Sequence, residues 1–228
     1  MAKLLNSGNY KTSKGEAKGW RTYGIHLSPF NISGNNVCPN ASTGCATACL
    51  NTAGRGAMRN VQEARIRKTQ FFFNDREGFL RQLFQEIKSA IKSAARKELN
   101  SCFRLNLTSD IAWERFIIPA FKSVQFYDYT KSKTRMYKFL RGKLPGNYHL
   151  TFSRSETTKD EEVKEFCKAG GNVAVVFRGQ LPKKWNGIRV IDGDSDDLRF
   201  KDPKGVIVGL VAKGLGKKDE SGFVVEPC

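Results

Sequence analysis

The chain has 228 residues, and its 39 Lys and Arg against 22 Asp and Glu give a net charge of +17. Hydrophobic residues make up 39% of it, enough for the core of one domain over residues 1–228. No apolar run reaches the roughly 18 residues of a membrane span, and the start lacks a signal-peptide pattern. We therefore expect a cytoplasmic protein with no membrane contact. The charge favours nucleic acid or another polyanion as a partner, although it can also serve solubility alone.

The first hundred residues are predicted to hold one strand and two helices joined by loops. Residues 1–21 are polar and rich in Gly and Lys, which predicts an arm or loop. A strand is expected at 22–30, and a loop that contains three cysteines follows at 31–56. Apolar residues then recur with helical spacing as far as about residue 99. An N-cap at Asn74 or Asp75 divides this stretch into two helices.

The stretch from 103 to 214 has a different rhythm, with short apolar runs that each end in polar residues. Helical segments around 133–141 and 158–169 lie between some of these runs, so the pattern predicts an α/β fold with a mostly parallel sheet and outer helices. Short connections at 180–187 and 198–205 make this a partial or irregular (β/α) barrel. Ligands bind such folds at the carboxyl ends of the strands. The polar residues at these ends are Ser109, Asp110, Asp128, Lys131, Ser153, Glu156, Arg178, Asp192, Asp194 and Lys213.

Three cysteines, Cys38, Cys45 and Cys49, share one loop with C-x6-C-x3-C spacing. In a reducing cytoplasm such thiols more often bind metal than form disulfides. A structural zinc site needs a fourth ligand from elsewhere in the chain. The residues that could supply it are Cys102, Cys167, Cys228, His26 and His149. A [4Fe-4S] cluster can instead use three thiolates and leave one iron open. The spacing alone leaves iron–sulfur and zinc equally open.

Segments from nearly the whole chain resemble the bacteriophage gene-product-88 family. The cysteine loop is the most specific of them, and the others include LLNSGNYKTSKGE, TYGIHLSP, LNLTSDIAWE, FYDYTKS, HLTFSRSE and DPKGVIVGLVAKG. The resemblance implies a phage origin, and with it the cytoplasm of an infected host cell as the location. It implies little about chemistry.

The order of elements is also similar, more distantly, to radical S-adenosylmethionine enzymes, in which a strand and a three-cysteine loop precede the βα units. This resemblance implies that Cys38, Cys45 and Cys49 hold a [4Fe-4S] cluster. The spacing differs from the usual C-x3-C-x2-C of that superfamily, and Ala48 stands where its aromatic residue would be. Together with the polar strand ends, the resemblance places cofactor contacts at Ser109, Asp110, Thr130, Ser153 and Lys213. Catalytic roles fall on Asp110, Lys131, Glu156 and Asp192.

The first hypothesis is therefore a phage iron–sulfur enzyme of radical-SAM-like architecture that acts on a nucleic acid or nucleotide. S-adenosylmethionine is its candidate cofactor, and zinc is the alternative metal. The second hypothesis is a basic nucleic-acid-binding module whose cysteine site is structural. Its phosphate contacts would be Arg65, Arg67, Lys68, Lys133, Arg135 and Arg141. A third is a non-enzymatic phage protein that binds a host factor. Substrate and oligomeric state do not follow from the sequence.

Overall fold

The computed structural model describes residues 3–7 and 10–227, which form a mixed α/β fold around one large sheet. The described strands are β1 (Leu5–Ser7), β2 (Trp20–Ile25), β3 (Asn100–Arg104), β4 (Gln125–Thr130), β5 (Tyr148–Ser153), β6 (Asn172–Phe177), β7 (Lys184–Trp185), β8 (Ile188–Asp192), β9 (Ile207–Val211) and β10 (Val224–Val225). Their order is β1-β2-β3-β4-β5-β6-β9-β8-β7, with β10 beside β6.

The sheet is mostly parallel and open. Only β1 with β2 and β7 with β8 pair antiparallel among the described strands. The edge strands β1 and β7 do not pair with each other, so the sheet does not close into a barrel. The prediction of an α/β fold with a mostly parallel sheet is confirmed, whereas the expected barrel is an open sheet. The physical reason is that the edge strands are very short, with 3 residues in β1 and 2 in β7, and offer few backbone groups for a closing pair.

The described helices are α1 (Tyr10–Ser13), α2 (Thr43–Thr47), α3 (Arg59–Asn74), α4 (Arg76–Ala95), α5 (Lys133–Leu140) and α6 (Asp160–Lys168). Asp75 separates α3 from α4 as predicted, because its carboxylate accepts a 2.8 Å hydrogen bond from the Gly78 N–H and caps α4. Among the described residues, no helix combines the length and apolar character that crossing a membrane would require.

The main core lies between the helices and one face of the sheet. Its side chains on β3 to β6 include Phe103, Phe126, Leu150 and Val173, all fully buried. Because side chains alternate along a strand, the other face carries a different set, in which the buried Tyr127 packs with Cys102 and with the segment after β8. This second face leads to the candidate site.

The N-terminal residues differ from the expected arm or loop, because they include the edge strand β1 and the short helix α1. Leu4 and Leu5 are each only 1% exposed. Their backbone N–H groups donate to the Glu86 carboxylate on α4 at 2.8–3.0 Å. Two adjacent apolar residues thus bury themselves beside α4 and draw this part of the chain into the sheet.

Candidate metal centre and its cleft

One cavity of about 280 Å³ lies at the carboxyl ends of β3, β4, β5, β6 and β9. Cys38, Cys45 and Cys49 all line it. So do the predicted site residues Ser109, Asp110, Thr130, Lys131, Ser153, Asp194 and Lys213. The fold therefore brings the cysteine loop and most of the polar strand ends to one place, which we call the thiol cleft.

Glu156 supports the cysteine loop from outside the cleft lining. Its carboxylate accepts hydrogen bonds from the Ser42 hydroxyl at 2.6 Å and the Gly44 N–H at 2.8 Å. Ser42 in turn caps α2 by accepting from the Cys45 N–H at 3.2 Å. Burial raises the pKa of Glu156, but the bonds from Ser42 and Gly44 more than offset this and hold the pKa below its ordinary value. Glu156, which the sequence predicted to be catalytic, therefore lies outside the cleft lining and hydrogen-bonds the cysteine loop.

The C-terminal segment closes the cleft from the side of β10. A Cβ at Gly44 would lie 2.2 Å from the Ser221 Oγ and 2.8 Å from the Phe223 Cβ. The backbone of the cysteine loop therefore packs directly on this segment, and any side chain at Gly44 would push the two apart. Phe223 and Val224 also line the cleft, and Val224 pairs with Val176 near the carboxyl end of β6.

All three cleft thiols are free of disulfide bonds and half-buried. Burial raises the pKa of Cys38 to about 12, and the neighbouring Cys49 and Cys45 add to the effect. Burial also raises the pKa of Cys45 and of Cys49. The cations Lys131, beside Cys45, and Arg65, beside Cys49, partly oppose these shifts. Buried thiols that would repel one another once ionised gain thiolate character when a metal neutralises them.

Lys131 lies between the thiols and the carboxylate of Asp110. Its ammonium donates to the Ser153 Oγ and to the Arg154 carbonyl, both at 3.0 Å, and lies 4.8 Å from the centre of the Phe223 ring. Its backbone N–H donates to Asp110 at 2.9 Å. Burial lowers the pKa of Lys131, while Cys45 and Asp110 oppose that shift. This side chain is a buried cation held beside Cys45.

Arg135 is buried, and its guanidinium is bound by carboxylates rather than free at the surface. It is 8% exposed and forms ion pairs with Asp110 at 2.5 Å and with both oxygens of Glu114 at 2.9 Å. It also donates to the Tyr148 hydroxyl at 2.9 Å. Burial raises the pKa of Asp110, and Arg135 opposes that shift. Because α5 turns this side chain inward, carboxylates already occupy the guanidinium that the sequence predicted as a phosphate contact.

The other predicted phosphate contacts divide by exposure. Arg65 is 8% exposed and donates to Asn51 in the cysteine loop, so it too is unavailable to nucleic acid. Lys68 is half-buried and donates to the Leu4 carbonyl at 2.9 Å. Arg67, Lys133 and Arg141 are exposed. Long basic side chains on a helix look alike in sequence, and only the packing separates these groups.

Two of the smaller polar side chains of the cleft form local bonds. The Ser109 hydroxyl donates to Asn106 at 2.8 Å. The Thr130 hydroxyl accepts from the Ser132 N–H at 3.0 Å, which begins α5. Asp110 links the cleft to α5, because its carboxylate accepts from the Lys131 N–H and from the Arg135 guanidinium. The predicted cofactor contacts thus surround the cavity, and their hydrogen bonds to neighbouring residues hold its walls in place.

The far wall of the cleft holds a cluster that the sequence analysis missed. The guanidinium of Arg104 lies 4.5 Å from the centre of the Tyr129 ring and donates to both oxygens of Asp197 at 2.9–3.0 Å. Lys11 lies 3.4 Å from Asp197 as well. Asp197 is only 1% exposed. The run of aspartates after β8 was the available signal, but it did not indicate which carboxylate turns inward.

Asp192 does not line the cleft, although the sequence predicted a catalytic role. It is exposed, and its carboxylate accepts from the Asp194 N–H at 2.7 Å within a turn. Asp194 takes the cleft position instead, where it accepts from the Lys213 ammonium at 2.8 Å and from the Val211 N–H at 3.0 Å. The chain turns directly after β8, so the last strand residue points to solvent.

Among the residues that the structure describes, no three His, Cys, Asp or Glu side chains stand close enough together to hold a single metal ion. The cavity lining includes none of Cys102, Cys167, His26 and His149, which were the other candidate zinc ligands. Cys228 lies outside the described residues. The donor set of the cleft is thus three thiols that are near one another without converging on one point.

These features define a mixed α/β protein with a thiol-lined cleft at the carboxyl edge of an open, mostly parallel sheet. The chain belongs to the phage Gene product 88 family, whose profile matches residues 3–227. The family expected from the sequence is therefore confirmed. Searches of curated proteins and of solved structures gave no match.

Proposed function

We propose that this protein is an iron–sulfur enzyme in which Cys38, Cys45 and Cys49 hold a [4Fe-4S] cluster in the thiol cleft. The observation that carries the proposal is the convergence of the three thiols on one cavity, with the cations Lys131 and Arg65 beside them. Iron–sulfur clusters are held by Cys thiolates. Buried cations next to buried thiols offset the negative charge that such ligands carry once they bind metal.

The arrangement of the thiols favours a cluster over zinc. A structural zinc site needs a fourth ligand beside the three thiols, and none of the described candidates, Cys102, Cys167, His26 and His149, lines the cleft. In a cubane cluster each thiolate binds a different iron, so the sulfur atoms need to surround a volume rather than a point. A cluster with three protein ligands supplies one iron whose remaining position is open to a substrate or cofactor.

The rest of the cleft suits a small molecule with an apolar part and charged ends. Val176, Leu210 and Phe223 supply apolar wall, whereas Arg104 and Asp194 supply charge at the far end. Small-molecule sites commonly combine these features. We therefore retain S-adenosylmethionine as the candidate cofactor. The residues that would contact this cofactor are Ser109, Thr130, Ser153 and Lys213. The ammonium of Lys131 would stay beside Cys45.

Metal analysis of anaerobically purified protein tests the proposal. We expect iron and acid-labile sulfide in the full chain, with a brown absorption band. Cys38→Ala, Cys45→Ala and Cys49→Ala should each lose most of the iron. The matched control is Cys167→Ala, which removes a thiol on α6 outside the cleft and should keep the iron.

Either of two results would overturn the cluster. One is a colourless protein with stoichiometric zinc, and the other is full iron content in the three cleft variants. Titration of S-adenosylmethionine into the iron-loaded protein tests the cofactor separately. If the iron-loaded protein gives no heat of binding, S-adenosylmethionine is rejected as the cofactor, whereas the proposed cluster is unaffected by that result.

A further inference from the structure

A second and larger cavity lies on the other side of the cysteine loop, between that loop, the start of α4 and α5. Its volume is about 760 Å³, and we call it the basic groove. Residues 36, 37, 39 and 40 of the cysteine loop line it, so the loop separates it from the thiol cleft, and Asp110 borders both cavities. The groove plays no part in the function proposed above.

The charges of the groove are strongly unequal. Seven charged side chains line it, five positive and two negative. Both carboxylates, Asp110 and Glu114, are already bound by the buried Arg135. The other four cations are exposed: Arg76, Arg115, Lys138 and Lys143. None of these four forms a salt bridge with a carboxylate in the described part of the chain. They are therefore free to bind an anion.

An exposed aromatic ring lies among these cations. Phe116 is 37% exposed, and few large apolar side chains among the described residues are as open to solvent. The guanidinium of Arg76 lies 5.5 Å from the centre of its ring and 4.5 Å from that of Phe72. Arg76 is thus held by aromatic contacts rather than by a carboxylate, which keeps both its charge and the Phe116 ring available at the groove.

We propose that the basic groove binds single-stranded nucleic acid. Proteins that bind single strands combine a positively charged groove for the backbone with aromatic side chains on which bases stack. Arg76, Arg115, Lys138 and Lys143 are the phosphate contacts, and Phe116 is the stacking platform. The shared border at Asp110 places the bound strand beside the thiol cleft. An acidic protein segment would need the cations but would have no use for the ring as a stacking surface.

Fluorescence anisotropy with a labelled single-stranded oligonucleotide tests this on the full chain. We expect salt-sensitive binding, with about 0.7 in the slope of log K against log salt for each phosphate contact. The double variant Lys138→Glu/Lys143→Glu should weaken binding at least tenfold and reduce that slope by about 1.4. The matched control is Lys183→Glu/Lys184→Glu, which changes the net charge equally at two exposed residues outside the groove. It should leave most of the affinity.

Phe116→Ala tests the stacking contact and should weaken binding about fivefold or more, with folding checked by circular dichroism. Equal loss in the two double variants would overturn the proposal, because only net charge would then matter. Absence of binding would also overturn it, and so would polyglutamate competing as well as DNA or RNA. These measurements do not depend on the cluster. The cluster proposal, tested by iron content, and the nucleic-acid proposal, tested by anisotropy, can therefore fail independently of each other.

Discussion

The thiol cleft and the basic groove lie on either side of the cysteine loop and share Asp110. Their cations differ, however, in burial and in bonding partners. In and behind the cleft wall, Lys131, Arg104 and Arg65 are bound by a hydroxyl, a carboxylate and an amide oxygen, respectively. Four of the five groove cations are exposed, with no carboxylate partner in the described part of the chain, and only the fifth, Arg135, is buried and paired. Burying an unpaired charge costs several kcal/mol, whereas an exposed one costs little. These three cations of the cleft therefore belong to the fold and its site, and the four exposed cations of the groove are available to a ligand.

The largest expected effect comes from Arg135, which lies between the two cavities and neutralises the carboxylates that border them. Arg135→Met keeps much of the side-chain volume but leaves Asp110 and Glu114 buried without a cation. Removal of one partner of a buried ion pair costs about 3–5 kcal/mol. We expect that loss in the free energy of unfolding, measured by urea denaturation.

Arg141→Met is the control for this measurement, because Arg141 lies on the exposed side at the end of α5. Its effect should stay within about 0.5 kcal/mol. The triple variant Arg135→Met/Asp110→Asn/Glu114→Gln should regain part of the loss, since it removes the stranded charges. Equal effects of Arg135→Met and Arg141→Met would contradict the division into structural and available cations.

An intermediate effect, which depends on pH, is expected at Asp197 on the far wall of the cleft. Burial raises the pKa of Asp197, but Arg104, Lys11 and Arg199 lower it more, so the folded pKa lies below the ordinary value. The unfolded chain then binds the proton more readily, near pH 3.9. The stability from this carboxylate is complete above that pH and is lost as the pH falls through the folded pKa.

We therefore expect Asp197→Asn to be clearly less stable than the wild type at about pH 6, with the gap narrowing on acidification below about pH 4. Unfolding free energies measured across this range check the sign. Asp160→Asn, at an exposed position in the first turn of α6, serves as the control and should show a small gap throughout. A gap for Asp197→Asn that stays constant as the pH falls would contradict the assigned role.

The division between buried and exposed cations is also where the sequence was least informative. Apolar runs predicted the strands after residue 100, because a buried strand needs them, and their polar ends correctly marked the carboxyl edge of the sheet. Arg65 and Arg135 resembled their exposed neighbours, since a long basic side chain on a helix fits either environment until its partners are known. Those partners, Asn51 and Glu114, are 14 and 21 residues away in the chain.

Local patterns also missed features that depend on distant strands. Neither the antiparallel edge strand β1 nor the parallel pairing of Val224 with Val176 follows from residues near them in sequence. Both decide the shape of the site, because β1 helps leave the sheet open and β10 closes the cleft. The cysteine loop was predictable because its three thiols are close in sequence. Its support by Glu156 was not, because that contact spans 112 residues.

The smallest effect is expected at Lys133, which the sequence predicted as a phosphate contact but which lies outside the lining of the groove. Its ammonium pairs with Glu162 at 2.5 Å, and its side chain is 44% exposed. Lys133→Ala should change the unfolding free energy by less than about 0.5 kcal/mol, because exposed ion pairs contribute little and salt screens them. It should also weaken oligonucleotide binding less than Lys138→Ala, a matched change on the same helix. If the two variants weaken binding equally, the nucleic acid must follow the surface of α5 rather than the groove. Lys133 would then count among the available cations in spite of its ion pair with Glu162.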